Sequence, residues 1–304
     1  MTPQPYILTV TLNPAVDQFV AIDQEIRSFA GGKGINVARA LKKLNLRTKA
    51  LILVGGNTGK AIQAFLDKEK IECIPVLIRG NSRTNLSIVQ PKDHAVTRVL
   101  EKGPTISSAE QKQFLKKYTQ CLKNCRAVVL SGRLPPGLRN DFYQALIKLA
   151  HDNHVITVLD TSGTALKYGI KAMPFMVKPN FDEAKDVLHL RLQTKANIKK
   201  ALKRLHALGA KNILLTNAEH GLFGLDGHDI WKVSSPRQGK SHQVGCGDAA
   251  VAGFLYAYFR RKPFAQQARM AAAAGAASVR QLPPGAIKRR DVLSIYQKTK
   301  VIKF

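Results

Sequence analysis

The sequence predicts an α/β fold in which a sheet is covered by helices on both faces and carries a small β-lid. Three observations predict it. Short, continuously apolar runs such as residues 50–54 end in glycine turns and pass into helical spacing, the βα rhythm of a sheet buried on both sides. That rhythm recurs along most of the 304 residues with no long linker or internal repeat, so a single domain is expected over 1–304. It breaks between 73 and 100, where three strand-like runs follow one another without room for a helix.

In chain order, residues 7–12 form a first strand closed by Asn13-Pro14, and 19–26 alternate loosely as a peripheral strand. Residues 35–41, behind the glycines of 31–34, have helical spacing. Strand 50–54 ends in Gly55-Gly56, and a helix occupies 59–66. Runs 73–78, 85–89 and 95–100 are expected as antiparallel excursions. With the residues near 19–26 they make a discontinuous lid at about 13–30 and 73–103, suited to closing over a ligand. The alternation then resumes with helix 108–123, strand 127–130, a helix from about Asn140, and strands 155–159 and 175–177. Helix 196–208, strand 212–215, a hairpin over 221–232 and helices from Asp248 and Pro263 complete it.

Composition excludes several classes. The 48 Lys+Arg against 20 Asp+Glu give a net charge of +28, which invites a nucleic-acid reading. The basic residues are scattered, however. Those of Ile198-Lys199-Lys200-Ala201-Leu202-Lys203-Arg204-Leu205 alternate with apolar ones as on the solvated face of an amphipathic helix. With no RNP motif, zinc finger or basic region leading into heptads, no specific nucleic-acid partner is expected. The charge instead favours anionic small molecules. Apolar stretches such as 249–259 are too short to span a membrane, and Met-Thr-Pro-Gln-Pro enters a strand directly, so no secretory leader is expected. Cys73, Cys121, Cys125 and Cys246 are too few for a disulfide framework and lack neighbouring histidines for zinc, which points to a reducing cytoplasm.

Chemistry concentrates in a few segments. Val244-Gly245-Cys246-Gly247-Asp248 precedes an apolar helix, so the glycine amides and the helix N-terminus make an anion cradle with Asp248 at its edge. A plain N-cap after a glycine turn is the alternative. Gly31-Gly32-Lys33-Gly34-Ile35-Asn36 is a second glycine loop before a helix, able to hold a polyhydroxylated or anionic ligand or simply to turn the chain. Asp17 is an acid in an uncharged stretch, suited to gripping sugar hydroxyls. Arg83 and Arg98 lie in the β-excursions, where packing requires neither, and either can fork onto a phosphate. Asn180 and Glu183, at the end of an apolar strand, suit ordering of water or Mg²⁺ near phosphates, or a capping box. Walker A, HExxH, GxSxG and CxxC patterns are absent.

These segments, in this order, resemble the ribokinase-like carbohydrate kinases of the pfkB family nearly end to end, most of all the branch that holds 1-phosphofructokinase and tagatose-6-phosphate kinase. The resemblance rests on Thr11-Leu12-Asn13-Pro14-Ala15-Val16-Asp17, on Gly31-Gly32-Lys33-Gly34-Ile35-Asn36-Val37-Ala38-Arg39 and on Ser82-Arg83-Thr84-Asn85. It continues in Ser131-Gly132-Arg133-Leu134-Pro135-Pro136-Gly137, Asp160-Thr161-Ser162-Gly163, Lys178-Pro179-Asn180 with Glu183, and residues 244–254. It implies a three-layer αβα sandwich whose β-lid serves as a homodimer clasp. It also implies ATP with Mg²⁺ as cofactors and phosphoryl transfer to a phosphorylated ketohexose.

Asp248 then matches the catalytic base, and Gly245, Cys246 and Gly247 the anion hole. Asp17, Gly32, Lys33, Asn36 and Ser131 match the sugar side, while Arg83 and Arg98 match a phosphate clamp. Asn180 and Glu183 match the pair that orders Mg²⁺ and phosphate, Glu183 acting on the metal indirectly. Thr216 and Gly221 match the ATP segment, and the alanines of 271–277 an adenine wall. Three positions depart from the pattern: Cys246 in place of a smaller residue, Arg133 in place of serine, and Ala218 in place of glycine in the nucleotide loop. The rival readings are a kinase for an unphosphorylated sugar or nucleoside, which would not need Arg83 and Arg98, and a non-catalytic nucleic-acid-binding protein on the same fold.

Overall fold

Alternate residues of the central strands face opposite ways, and the two sets are buried under different helices. In strand Cys125–Ser131, Val128 and Leu130 join one core with Phe114, Tyr118, Tyr143 and Leu166. Ala127 and Val129 join the other with Val37, Leu41, Val251, Phe254 and Ala274. Strand Tyr6–Thr11 divides the same way, with Leu8 and Val10 on one side and Ile7 on the other. This is the three-layer αβα sandwich expected from the sequence. The computed structural model describes residues 4–21, 26–89, 96–239, 244–279 and 281–304.

Among the described residues the main sheet has ten strands. From one edge they run Lys300–Lys303, Ile230–Ser234, Leu222–Leu225, Asn212–Thr216 and Met176–Val177, then Ile156–Asp160, Cys125–Ser131, Tyr6–Thr11, Thr48–Val54 and Glu72–Leu77. Pairing is parallel from Glu72–Leu77 through Asn212–Thr216, and antiparallel over the three strands beyond. Their carboxyl ends therefore open on one rim, where ligands of such sheets bind.

The lid is a separate sheet with the order Arg27–Gly31, Ala15–Ala21, Arg83–Val89, Val96–Leu100. Two expectations change here. The run beginning near Cys73 is not lid: Glu72–Leu77 pairs in parallel with Thr48–Val54 as the edge of the main sheet. The physical reason is helix Gly56–Lys68, which supplies the crossover a parallel pair needs. Pro75, which cannot donate to a ladder, suits that edge. Nor is the lid purely antiparallel, because Ala15–Ala21 runs parallel to Arg83–Val89. The parts of the expected strands at 22–25 and at 95, and the connection over 90–94, lie outside the described residues.

Helix Lys195–Ala207 buries Ile198, Ala201, Leu202 and Leu205 and turns its basic residues outward, as a solvated cationic face should. Among the described residues no helix is long and apolar enough to cross a membrane. The four cysteines are free thiols.

Candidate active site

Helix Cys246–Tyr258 starts two residues earlier than its spacing suggests, which puts Cys246, Gly247 and Asp248 in its first turn. Gly245 caps it in the left-handed region at φ 84°, and a Cβ there would come within 2.2 Å of the Gly285 nitrogen. Only glycine fits this turn. The first intrahelical bond runs from Ala249 N to Gly245 O at 2.9 Å, so the amides before it face out of the helix end. Beside them lies a cation: a Cβ on Gly247 would stand 2.9 Å from Lys178 Nζ. Free amides, a helix dipole and an ammonium together make an anion cradle.

Asp248 is 5% exposed, and its Oδ2 accepts from Asn36 Nδ2 at 2.8 Å. Burial, helped by the neighbouring Asp160, pushes its pKa up to about 6 against the pull of Lys33, Asn36 and Lys178. Asp160 is wholly buried between two cations, with Oδ1 2.9 Å from Lys33 Nζ and Oδ2 3.2 Å from Lys178 Nζ. Burial works against its charge, but Lys178 and then Lys33 hold its pKa below the ordinary aspartate value. Lys33 also lies 3.5 Å from Glu183 Oε1. Burial disfavours its ammonium too, yet Asp160, Glu183 and Asp248 keep its pKa above that of an ordinary lysine. The result is a proton acceptor tuned near neutrality beside two fixed cations.

On the lid side, Asp17 Oδ1 accepts from Asn85 Nδ2 at 2.8 Å, on a strand paired residue for residue with its own. Burial raises its pKa against the opposing effects of Asn85 and Arg83. Gly32, at φ 124°, caps helix Lys33–Lys43 and brings Lys33 and Asn36 into the first turn. Arg98 is exposed on the outer lid strand, opposite Ser87.

Arg83 corrects the expectation that packing does not need it. Its Nε and Nη2 donate to Asn13 O at 3.2 and 3.1 Å, and its Nη1 to Asn85 Oδ1 at 3.1 Å and Glu101 O at 3.0 Å. Four of its five N–H groups therefore brace the lid. Arg133, exposed, lies close enough to Arg83 to help burial lower the pKa of that guanidinium. Ser131 is also placed differently. It is wholly buried, its carbonyl accepts from the Tyr143 hydroxyl at 3.1 Å, and its own hydroxyl has no partner among the described residues. From there it shapes the turn before Gly132 and offers no surface to a ligand.

On the opposite side, Asn180 and Glu183 form a full capping box on helix Phe181–Leu188, with bonds of 2.8 and 2.9 Å. The cap leaves Glu183 Oε1 turned to Lys33. Thr216 N donates to Pro179 O at 3.0 Å, which ties this cap to the next strand end. In the following loop Ala218 adopts φ 42° and Gly221 φ 92°, so the alanine takes the left-handed conformation a glycine would adopt freely. In helix Phe264–Ser278, Ala271, Ala273, Ala274 and Ala277 are buried in the core, packed with helix Cys246–Tyr258, while Ala272 and Ala276 stay half-buried. A cavity of about 350 Å³ adjoins its end, lined by Pro236, Gln238, Ala276, Ala277, Gln281 and Ser294 among others.

Three functional groups escaped sequence reasoning as individual residues. Asp160 and Lys178 lie in Asp160-Thr161-Ser162-Gly163 and Lys178-Pro179-Asn180, and their signal is an ionisable residue at the end of an apolar strand. The third is the Pro284-Gly285 turn, which abuts both Gly245 and the Asn36 carbonyl. Its Pro-Pro-Gly sequence is a turn signal without any hint of where the turn lands.

Known proteins carry the same architecture. The chain is 32% identical over 282 residues to the 1-phosphofructokinase of Bacillus subtilis (strain 168), covering 90% of this chain and 92% of that protein. It is 28% identical over 310 residues to the tagatose-6-phosphate kinase of Staphylococcus epidermidis (strain ATCC 35984), covering 98% and 99%. The crystal structure of phosphofructokinase-2 from Escherichia coli in complex with fructose-6-phosphate superposes with a TM-score of 0.87 at 25% identity, covering 97% of this chain and 99% of that one. Residues 7–287 match the pfkB family carbohydrate kinases, and to that family this chain belongs.

Proposed function

We propose that this kinase transfers the γ-phosphoryl group of ATP to a hydroxyl of a phosphorylated ketohexose, with fructose 1-phosphate, fructose 6-phosphate and tagatose 6-phosphate as candidates. The observation that carries this reading is the buried Asp248, tuned to a pKa of about 6, at the mouth of an amide cradle flanked by Lys178 and Lys33. A carboxylate so poised accepts the proton of an attacking hydroxyl at neutral pH. The amides of Gly245, Cys246 and Gly247 stabilise negative charge developing on the phosphoryl oxygens. The thiol of Cys246, its pKa pushed up to about 12 by burial and by Asp248, stays neutral and does not compete as an anion.

The residues present fit ATP with Mg²⁺. The missing Cβ of Gly247 keeps the space beside Lys178 Nζ open. Mg²⁺ of this kind is held mainly by the phosphates it neutralises and needs few protein ligands. Asn180 and Glu183 would hold that ion through its water shell, Thr216 and Gly221 would line the nucleotide, and the cavity beside Ala276 would take the base. ATP supplies the phosphoryl group, and Mg²⁺ neutralises its phosphates. On the sugar side, Asp17 and Asn36 orient hydroxyls and Gly32 lets the ligand approach the main chain. Arg98 is a phosphate clamp, with Arg83 adding charge and its one remaining N–H. The relatives named for 1-phosphofructokinase and tagatose-6-phosphate kinase activity support this choice. The protein acts in the cytoplasm as a homodimer joined through the lid, where Ile26, Val99 and Leu100 are 61%, 56% and 55% exposed.

A coupled ADP-release screen over the three phosphates, together with fructose and a nucleoside, tests the proposal. One of the phosphates should lead kcat/KM by at least about tenfold. Equal kcat/KM for fructose and its monophosphates would refute the sugar-phosphate assignment and favour a kinase for unphosphorylated acceptors.

A further inference from the structure

Arg39 is 3% exposed in the middle of helix Lys33–Lys43, and all five of its N–H groups are used. Nε and Nη2 fork onto the two Glu69 oxygens at 2.5 and 2.8 Å. Nη2 also donates to Ala30 O at 2.9 Å, at the foot of lid strand Arg27–Gly31. Nη1 donates to Pro284 O at 2.5 Å and to Asn36 Oδ1 at 3.0 Å.

The last bond has a consequence one residue further on. A side-chain amide presents an acceptor on one side and a donor on the other, and its neighbours decide which way it faces. A guanidinium can only donate, so Asn36 must turn Oδ1 toward Arg39, which leaves Nδ2 for Asp248 Oδ2 at 2.8 Å. Were the amide reversed, an oxygen would face the carboxyl, an arrangement that favours the protonated acid. The Pro284 bond works to the same end, because the 284–285 turn packs against both Gly245 and Asn36 O.

We propose that Arg39 is a positioning residue for phosphoryl transfer: by holding Asn36 Oδ1 it keeps Asn36 Nδ2 on Asp248, and so holds the base ionised and aimed. This rests on Asp248 being the base. The other charged or titratable groups facing Asp248 are Asp160, Lys33, Lys178 and Cys246, none of which bonds to Arg39.

The test uses the full chain with Arg39→Met and Arg39→Lys. The lysine variant keeps a cation to pair with Glu69 but cannot hold both Glu69 and Asn36. Carbon-13 NMR of aspartate carboxyls, with the Asp248 signal assigned through Asp248→Asn, reads the resting enzyme independently of turnover. Asp248 should titrate about one pH unit higher in both variants. The acid limb of kcat should rise with it, giving about a threefold loss at pH 6.5 that grows toward about tenfold below pH 5.5 and disappears toward pH 9, with KM for ATP within about twofold of wild type. An unmoved Asp248 titration in whichever variant folds overturns the proposal, as does a loss of kcat equal at every pH. A raised titration with an unmoved acid limb would instead keep the Arg39–Asn36–Asp248 relay and reject Asp248 as the base.

Discussion

Replacing Asp248 with asparagine should disable the enzyme and stabilise it at once. The change is nearly isosteric, and an amide oxygen at 248 can still accept from Asn36 Nδ2. What disappears is a buried charge whose pKa is raised from the ordinary 3.8 to about 6. A raised carboxyl pKa means the folded state binds that proton more tightly than the unfolded chain does. The associated stability is fully present below the unfolded value and is lost as pH rises through about 6. Above pH 7 the ionised side chain therefore costs the fold about 3 kcal/mol relative to acid pH, or about 5 °C in Tm for a chain of this size. The attraction of Lys33 and Lys178 is already contained in that net shift. Calorimetry at pH 8 should find Asp248→Asn melting several degrees above wild type, with the gap closing near pH 4.5. In the coupled assay kcat should fall by a factor on the order of 10² or more. A lower Tm than wild type at pH 8 would show that the two lysines outweigh burial and refute the electrostatic reasoning. A kcat above about half of wild type would remove Asp248 as the base.

Arg98→Ala, at an exposed lid position, should raise KM for the sugar phosphate by about tenfold or more while leaving Tm and KM for ATP unchanged, as steady-state kinetics will read. Ala218→Gly relieves a left-handed alanine at φ 42° and should stabilise the chain by up to about 1 kcal/mol; a fall in Tm would mean the loop is not held in that conformation. If the proposed dimer forms through the lid, charging its outer strand with Val99→Lys and Leu100→Glu should turn a wild-type dimer into monomers in sedimentation velocity. An unchanged mass would place the interface elsewhere.

The layered core was legible because its signal is local. A period of two divides Ala127 and Val129 from Val128 and Leu130, and each half needs its own covering helices. Elements were lost where the local signal is short or masked by charge. Helix Gly163–Ile170 has eight residues, too few to establish a period, and Phe181–Leu188, equally short, shows in the sequence only through the capping box at its start. Helix Arg289–Lys298 buries only Val292 and Ile295 beneath a basic surface, so its composition reads as solvated chain. Strand partners were harder still. Ala15–Ala21 lies parallel to Arg83–Val89, and nothing within either segment names the other.

At the site, motif spacing identifies which chemistry is present, and burial decides what each group does with it. Arg83 and Arg39 show the difference. On a short lid strand Arg83 looks free, yet the carbonyls of Asn13 and Glu101 claim it, because main-chain oxygens at the root of a small sheet need donors. Arg39 becomes legible only in the fold. In sequence it shares a polar face with Asn36 and Lys43, but Gly34 through Leu41 are all buried, so this stretch of helix has no side open to water. A charge in such a helix cannot reach water, so it must be fully partnered, and partners for a guanidinium must come from other segments. Its burial therefore implies that Arg39 ties distant segments together, and the fold shows that one of its partners is the amide touching Asp248.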